Sequence, residues 1–337
     1  MNFFKTLSKY GLDGFLSALL LVIFLAYLYP YPGSLDSRYR LNEVANSGVS
    51  VIFFFYGLKL GFRKLRDGLE NWRLHLFIQS VTFFIFPLAG LALRPFFYGE
   101  EGEMFWLGVF FLCALPSTVS SSVVMVSIAG GNVPAAIFNA SISSLLGVFI
   151  TPAWLGLVFS GGGASVSFSE VIGRLCIQVL LPVVAGMVLH RWLGDRANRK
   201  SRQIKLFDQS VILLIVYCSF CQSFTENLFA AMSYTDLLAL IAGMLALFFL
   251  VYFLTNWMTR RLDFGREDRI AALFCGSKKS LIQGAVMSNI MFSGTPMAGI
   301  ILLPIMVYHA LQLLVAGVLS RKWATASGHK ESEVINP

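Results

Sequence analysis

The sequence predicts an all-α polytopic membrane protein, with ten transmembrane helices arranged as two inverted five-helix repeats and with helices 4 and 9 broken where they cross. Three observations carry that expectation. The 337-residue chain is 56% hydrophobic and 13% charged, roughly half the charged fraction of an average soluble protein, and its mean hydropathy is +0.71. Its apolar runs recur at about 20 residues, the length a helix needs to cross a hydrocarbon core. Its basic residues gather between alternate runs. This composition excludes a water-soluble globule, a disordered tail and a disulfide scaffold.

The runs fall near 12–31, 43–60, 73–93, 104–127, 133–158, 169–189, 206–224, 236–258, 268–292 and 297–319. The first follows Lys5 and Lys9, as a signal peptide would. It is long and aromatic, however, and continues into Tyr29-Pro30-Tyr31-Pro32 without a small-residue cleavage site, so it counts as span 1. The remaining spans are checked by charge. Twenty of the 26 Lys and Arg residues fall on one side: Lys5 and Lys9; Lys59, Arg63, Lys64, Arg66 and Arg73; Arg191, Arg196, Arg199, Lys200, Arg202 and Lys205; Arg260, Arg261, Arg266 and Arg269; Arg321, Lys322 and Lys330. The opposite side holds only Arg38, Arg40, Arg94 and Arg174. The positive-inside rule then puts both termini in the cytoplasm, and a miscounted span would break the alternation. Short loops suit the inner membrane of a bacterium.

The net charge of +8 therefore reads as topology and lipid-headgroup contact rather than as a nucleic-acid surface. The five cysteines lie within apolar runs and imply no disulfide framework. Cys218 and Cys221 form a CxxC without a second pair or a nearby His, which is the pattern of buried packing rather than of a metal site.

The fourth and ninth runs carry the unusual residues. The fourth contains Leu115-Pro116-Ser117-Thr118-Val119-Ser120-Ser121-Ser122, and the ninth contains Cys275-Gly276-Ser277-Lys278-Lys279-Ser280. Pro116 precedes Pro134 by 18 residues, as Lys278 precedes Pro296, and a short uncharged turn follows each break. Like features at like places in two sets of five spans are the mark of an inverted repeat, here 1–159 and 160–323, followed by a cytoplasmic tail at 324–337. Interrupted helices at matching positions point to a binding site near the midplane, because unwound backbone persists in a membrane only where protein, water or ligand satisfies it. A proline with serines can also be a simple kink. Two lysines at the same depth weigh against that, since a charge at the bilayer centre is costly and usually functional.

These segments, together with Gly131-Asn-Val-Pro-Ala-Ala-Ile137, Phe149-Ile-Thr-Pro152, Phe274-Cys-Gly-Ser-Lys-Lys-Ser-Leu281 and Leu303-Pro-Ile-Met-Val-Tyr-His-Ala-Leu-Gln-Leu313, resemble the bile acid:sodium symporter family. The likeness is to the divergent branch that includes the seventh member of solute carrier family 10. It runs through all ten spans, and Gly-Ser-Lys-Lys-Ser is its most specific part. It implies a core of spans 3–5 and 8–10 and a panel of spans 1, 2, 6 and 7 that move against each other to carry organic anions, usually with sodium. Carried over by position, the sodium ligands are altered. A glutamate on the ninth span becomes Phe274, and a glutamine there becomes Lys278. A serine–asparagine pair becomes Ser121 and Ser122, and two hydroxyl ligands become Ala136 and Ala140. Hard cations want oxygen ligands and negative charge. Here the carboxylate is gone and positive charge has arrived, so a lysine ammonium occupying the ion's space is one replacement.

Three roles for the lysines stay open at this stage. They can pair with an anionic substrate aided by half-helix N-termini, carry a proton, or neutralise carbonyls at the ends of the first half-helices. As adjacent residues on a helix they would point about 100° apart. The candidate substrate- or ion-binding residues are Ser117, Thr118, Ser120, Ser121 and Ser122 in the fourth span; Asn139 and Ser141 in the fifth; Ser277, Lys278, Lys279 and Gln283 in the ninth; and His309 in the tenth. Gln283 and Asn289 serve equally as inter-helix cross-links, and His309 as a packed core residue. No metal site or resident cofactor is expected; Na+ or H+ is the candidate coupling ion. A small organic anion and membrane lipids are the expected partners. The alternatives are an antiporter-like proton/cation carrier, which would want an Asp in a broken span, and a non-transporting regulator. No HExxH, paired intramembrane aspartates or Gly-x-Ser-x-Gly argues for an enzyme.

Overall fold

A computed structural model of the chain describes residues 14–59, 71–159, 173, 176–229, 233–292 and 297–325. Every regular element among them is helical, as hydrocarbon demands of a chain whose backbone groups must be satisfied internally. The elements are α1 (Gly14–Leu28), α2 (Leu41–Lys59) and α3 (Trp72–Phe96), which has a π-helical turn at Val81–Ile85. Then come α4 (Gly99–Ala114), α5 (Ser120–Ile128) and α6 (Val133–Phe159). A π turn at Cys176–Leu180 leads into α7 (Leu181–Arg199), followed by α8 (Ser201–Thr225) and α9 (Tyr234–Arg261). Last are α10 (Arg266–Gly276), α11 (Leu281–Met291) and α12 (Ala298–Thr325).

Six of the described helices, α3, α6, α7, α8, α9 and α12, are long and apolar enough to cross a membrane singly. The fourth and ninth apolar runs are each split, at Ala114/Ser120 and at Gly276/Leu281. The expected repeat boundary at 159/160, the tail beyond Thr325, the Ser293-Gly294-Thr295-Pro296 turn, and Lys5, Lys9, Arg63, Lys64, Arg66, Arg174 and Lys330 lie outside the described residues.

The helices pack in two groups. In one, α2 lies along α7 and against α8, while α1 packs on α8. Gly57 and Gly186 permit the α2–α7 approach: a methyl group on either would strike the opposite backbone, at the Val183 or Phe54 carbonyl. Small residues at such points are how membrane helices gain contact without a hydrophobic driving force. In the other group, α4 packs on α3 and α12, α9 on α10 and α12, and α10 against α3, α5 and α6. The groups meet where α8 touches α11 and α12. Phe24, Leu157, Phe253 and Trp257 lie exposed on the outer surfaces, which suits a hydrocarbon solvent.

One end of the second group is pinned by a carboxylate. Asp268, in the first turn of α10, accepts from Asn71 Nδ2 before α3 and from Asn132 Nδ2 before α6, each at 2.8 Å. Asn132 N–H also donates to Glu267 O at 3.1 Å. Three helix starts are thereby held together.

Candidate functional site

The site is built from the two breaks. Pro116 has no N–H and pushes Leu115 into extended backbone, ψ 154°, so α4 cannot continue. Its last carbonyls would be left bare in an apolar interior, a cost of about 1–3 kcal/mol for each. Each instead finds a partner. Cys113 O and Leu115 O accept from Lys279 Nζ at 2.6 and 2.7 Å, and Ala114 O accepts from the Thr151 hydroxyl at 2.7 Å. Pro116 O accepts from Ser280 N–H at 2.9 Å, a backbone bond joining one break directly to the other.

The second break is served in the same way. The Ser117 hydroxyl donates to Cys275 O at 2.6 Å, while Ser117 N–H donates to Ser143 Oγ at 2.9 Å. Tyr308 O–H donates to Ser277 O at 2.7 Å, and the Ser277 hydroxyl turns back to Leu273 O at 2.6 Å. The Gln312 amide brackets the Lys279 backbone, accepting from its N–H at 2.9 Å and donating to its C=O at 2.8 Å. The carbonyl ends of α4 and α10 are thus each capped by a side chain from the other break.

Lys278 and Lys279 are 0% and 1% exposed. Neither is on a helix: α10 ends at Gly276 and α11 starts at Leu281, so both lie in irregular backbone. This corrects the expectation of two neighbours on one helix, and the reason is the Gly276-Ser277 stop followed by the Ser280 N-cap, whose hydroxyl accepts from Gln283 N–H at 3.3 Å. All three protons of the Lys279 ammonium are used, the third on Thr82 O at 2.8 Å in the π turn of α3, and its nitrogen stands 4.2 Å from the centre of the Phe86 ring. Lys278 reaches the other way and donates to Ser121 O at 2.9 Å, in the first turn of α5.

Beside the crossing lies a cavity of about 340 Å³ between the two helix groups. The second group contributes Thr118, Val119, Ser121, Ser141, Ser144, Ser280, Gln283 and His309; the first contributes Phe15, Ile52, Phe53, Tyr56 and Lys59, with Ser201, Lys205, Asp208 and Gln209 from α8. The starts of α5 and α11 therefore face it. Helix starts present unpaired N–H groups and a partial positive charge, a natural anion site.

The predicted residues separate into three places. Thr118, Ser121, Ser141, Gln283 and His309 line the cavity. Ser117, Ser277, Lys278 and Lys279 form the crossing behind it, and the Ser122 hydroxyl is bonded to Thr118 at 2.8 Å. Asn139 is elsewhere: it pairs with His75 Nδ1 at 2.8 Å and with Gln79 Nε2 at 3.2 Å, against α3. Ser120 opens α5, and its side chain lies outside the described residues. His309 also accepts from Gln312 Nε2 at 2.9 Å. The sequence reasoning missed Lys59, Lys205, Tyr56, Ser144 and Asp208. Asp208 had a signal, being the one acidic residue within the apolar run 206–224.

A helical, multi-pass membrane protein whose two broken helices cross beside a cavity between bundles is the class that this geometry defines. The chain belongs to the SBF-like CPA transporter family, whose model matches residues 13–325, the divergent branch of the bile acid:sodium symporter superfamily anticipated from its motifs. It is 39% identical to the uncharacterized protein PA2026 of Pseudomonas aeruginosa and 37% identical to the putative symporter YfeH of Escherichia coli, each over 93% of both chains. It is 33% identical to sodium/bile acid cotransporter 7 of Danio rerio, over 91% of this chain and 92% of that one.

Proposed function

We propose that the protein is a secondary active transporter that moves a small organic anion by alternating access, without sodium at the crossing. Ten spans in two inverted repeats, 1–159 and 160–323, form a core of spans 3–5 and 8–10 and a panel of spans 1, 2, 6 and 7, with both termini cytoplasmic. The two helix groups and the reciprocal capping of the breaks support this division. The observation that carries the reading is the cavity itself, lined from one side by the panel and from the other by two half-helix starts. Lys59 and Lys205 line it on the lysine-rich side that the charge pattern assigns to the cytoplasm, which supports substrate exchange with that side.

Lys279 takes the place of the coupling ion. Its ammonium fills a shell of three carbonyls at 2.6–2.8 Å, oxygen ligands of the kind a hard cation would use. Lys278, held on Ser121 O behind the cavity wall, adds positive potential where the substrate's anionic group sits. A proton gradient or the substrate gradient is then the driving force. The test is uptake of radiolabelled taurocholate, a probe suggested by the names of the vertebrate relatives, into proteoliposomes of the full chain. Uptake that is saturable, equal in sodium and choline, and lost in Lys278→Gln supports the reading. Strict dependence on sodium would defeat the lysine substitution.

A further inference from the structure

The cavity holds two acceptors that nothing among the described residues satisfies. Asp208 Oδ1, on the panel wall, is buried and without a hydrogen-bond partner. Gln283 Oε1, on the core wall, is likewise buried and unpartnered, its Nε2 being given to Ser144 O at 3.4 Å. The ion pairs among the described residues are Arg40–Glu43 and Arg94–Glu103, so Asp208 forms none, although Lys205 lies one turn away on α8 and Lys59 acts on it electrostatically from α2. Tyr56 is occupied, donating to Ser141 O at 2.8 Å, and His309 on α12 is held by Gln312. Asp208 is also the one carboxylate among the described lining residues.

A cavity built only to receive an anion gains nothing from a carboxylate in its wall, which repels the ligand and loses hydration when the site fills. A carboxylate left without a donor is instead matched to a ligand that brings one. We propose that the substrate is a zwitterion, an organic anion that also carries an ammonium group, and that Asp208 recognises that ammonium while Gln283 Oε1 accepts a further hydrogen bond from the ligand. The inference rests on the organic-anion reading above and narrows it. Phe15, Ile52, Phe53 and Val286 supply apolar walls for the body of such a molecule.

The experiment is equilibrium binding of phenylpropanoate, phenyllactate and phenylalanine to the full chain in lipid nanodiscs. The three share a ring and a carboxylate and differ only in carrying hydrogen, hydroxyl or ammonium on the neighbouring carbon. Phenylalanine is expected to bind about tenfold or more tighter than phenylpropanoate, with phenyllactate between, as in sites that hydrogen-bond a substrate's polar group. In Asp208→Asn the preference falls to within about twofold, and in Asp208→Glu the order is kept. Equal binding of the three by the wild-type protein, or an order that survives Asp208→Asn, overturns the proposal while leaving the anion reading standing. If none of the three binds, the zwitterion proposal falls, and the anion reading stands or falls on its own uptake assay. The wild-type order needs no variant, so a failure of Asp208→Asn to fold does not remove the test.

Discussion

Lys279 and Lys278 are neighbours in sequence with different surroundings, and that difference is measurable. Replacing Lys279 by Ala leaves the carbonyls of Thr82, Cys113 and Leu115 without their donor, at about 1–3 kcal/mol for each buried acceptor. Lys278→Ala frees only Ser121 O. Lys279→Ala is therefore expected to lower the unfolding temperature of the protein in nanodiscs far more than Lys278→Ala, whose larger effect falls on anion binding. Equal losses would show that the carbonyl shell is not what stabilises the crossing. Nothing in the sequence distinguished the two lysines, because the acceptors lie 164 to 197 residues away along the chain. Asn139 illustrates the same limit from the opposite direction. It was a sound polar candidate by depth, but its neighbours on α3, His75 and Gln79, take up its hydrogen bonds.

At the scale of elements, far more was legible. The breaks at 115–119 and 277–280 were marked by Pro116, by a run of hydroxyl residues and by two charges within apolar runs, all of them local features. The helical state of the lysines was misjudged because Gly276 and the Ser280 cap stop and restart the backbone within four residues, closer than a periodicity window can resolve. The α2–α7 contact was invisible, since Gly57 and Gly186 look like any glycines in apolar runs. Its consequence is specific: Gly57→Ala or Gly186→Ala drives a methyl into backbone that cannot rotate away, and a loss of about 1–3 kcal/mol is expected for such overpacking. Denaturant unfolding of the two variants measures it; unchanged stability would mean that the helices are not closely apposed. At the start of α10, Asp268→Ala removes the acceptor shared by Asn71 and Asn132, and faster amide hydrogen exchange at the starts of α6 and α10 is the expected result.

For the whole molecule, the two bundles are joined across the cavity region by a few polar ties. The cavity lies between the bundles beside Lys59 and Lys205, and there Tyr56 O–H on α2 donates across to Ser141 O on α6 at 2.8 Å. Two further ties are Asn289 Nδ2 donating to Asn46 Oδ1 at 2.6 Å and Gly299 N–H donating to Ser223 Oγ at 3.2 Å. The alternating access proposed above requires such ties to part. A short thiol cross-link between Asn46→Cys and Asn289→Cys should therefore abolish uptake. Undiminished transport in the cross-linked protein would show that the bundles do not separate there. The family makes the chain a transporter, and its coupling turns on Lys279, whose ammonium fills the carbonyl shell at the crossing. The most direct measurement is the thermal stability of the full-length protein as sodium replaces choline at constant ionic strength. Binding to the folded state must raise stability, by about 2.7 kcal/mol at a hundred times the dissociation constant. A flat response in the wild-type protein, with sodium sensitivity appearing once Lys279→Gln vacates the shell, is the predicted result. A saturable, sodium-specific rise in the wild-type protein would contradict it and return the ion to the crossing.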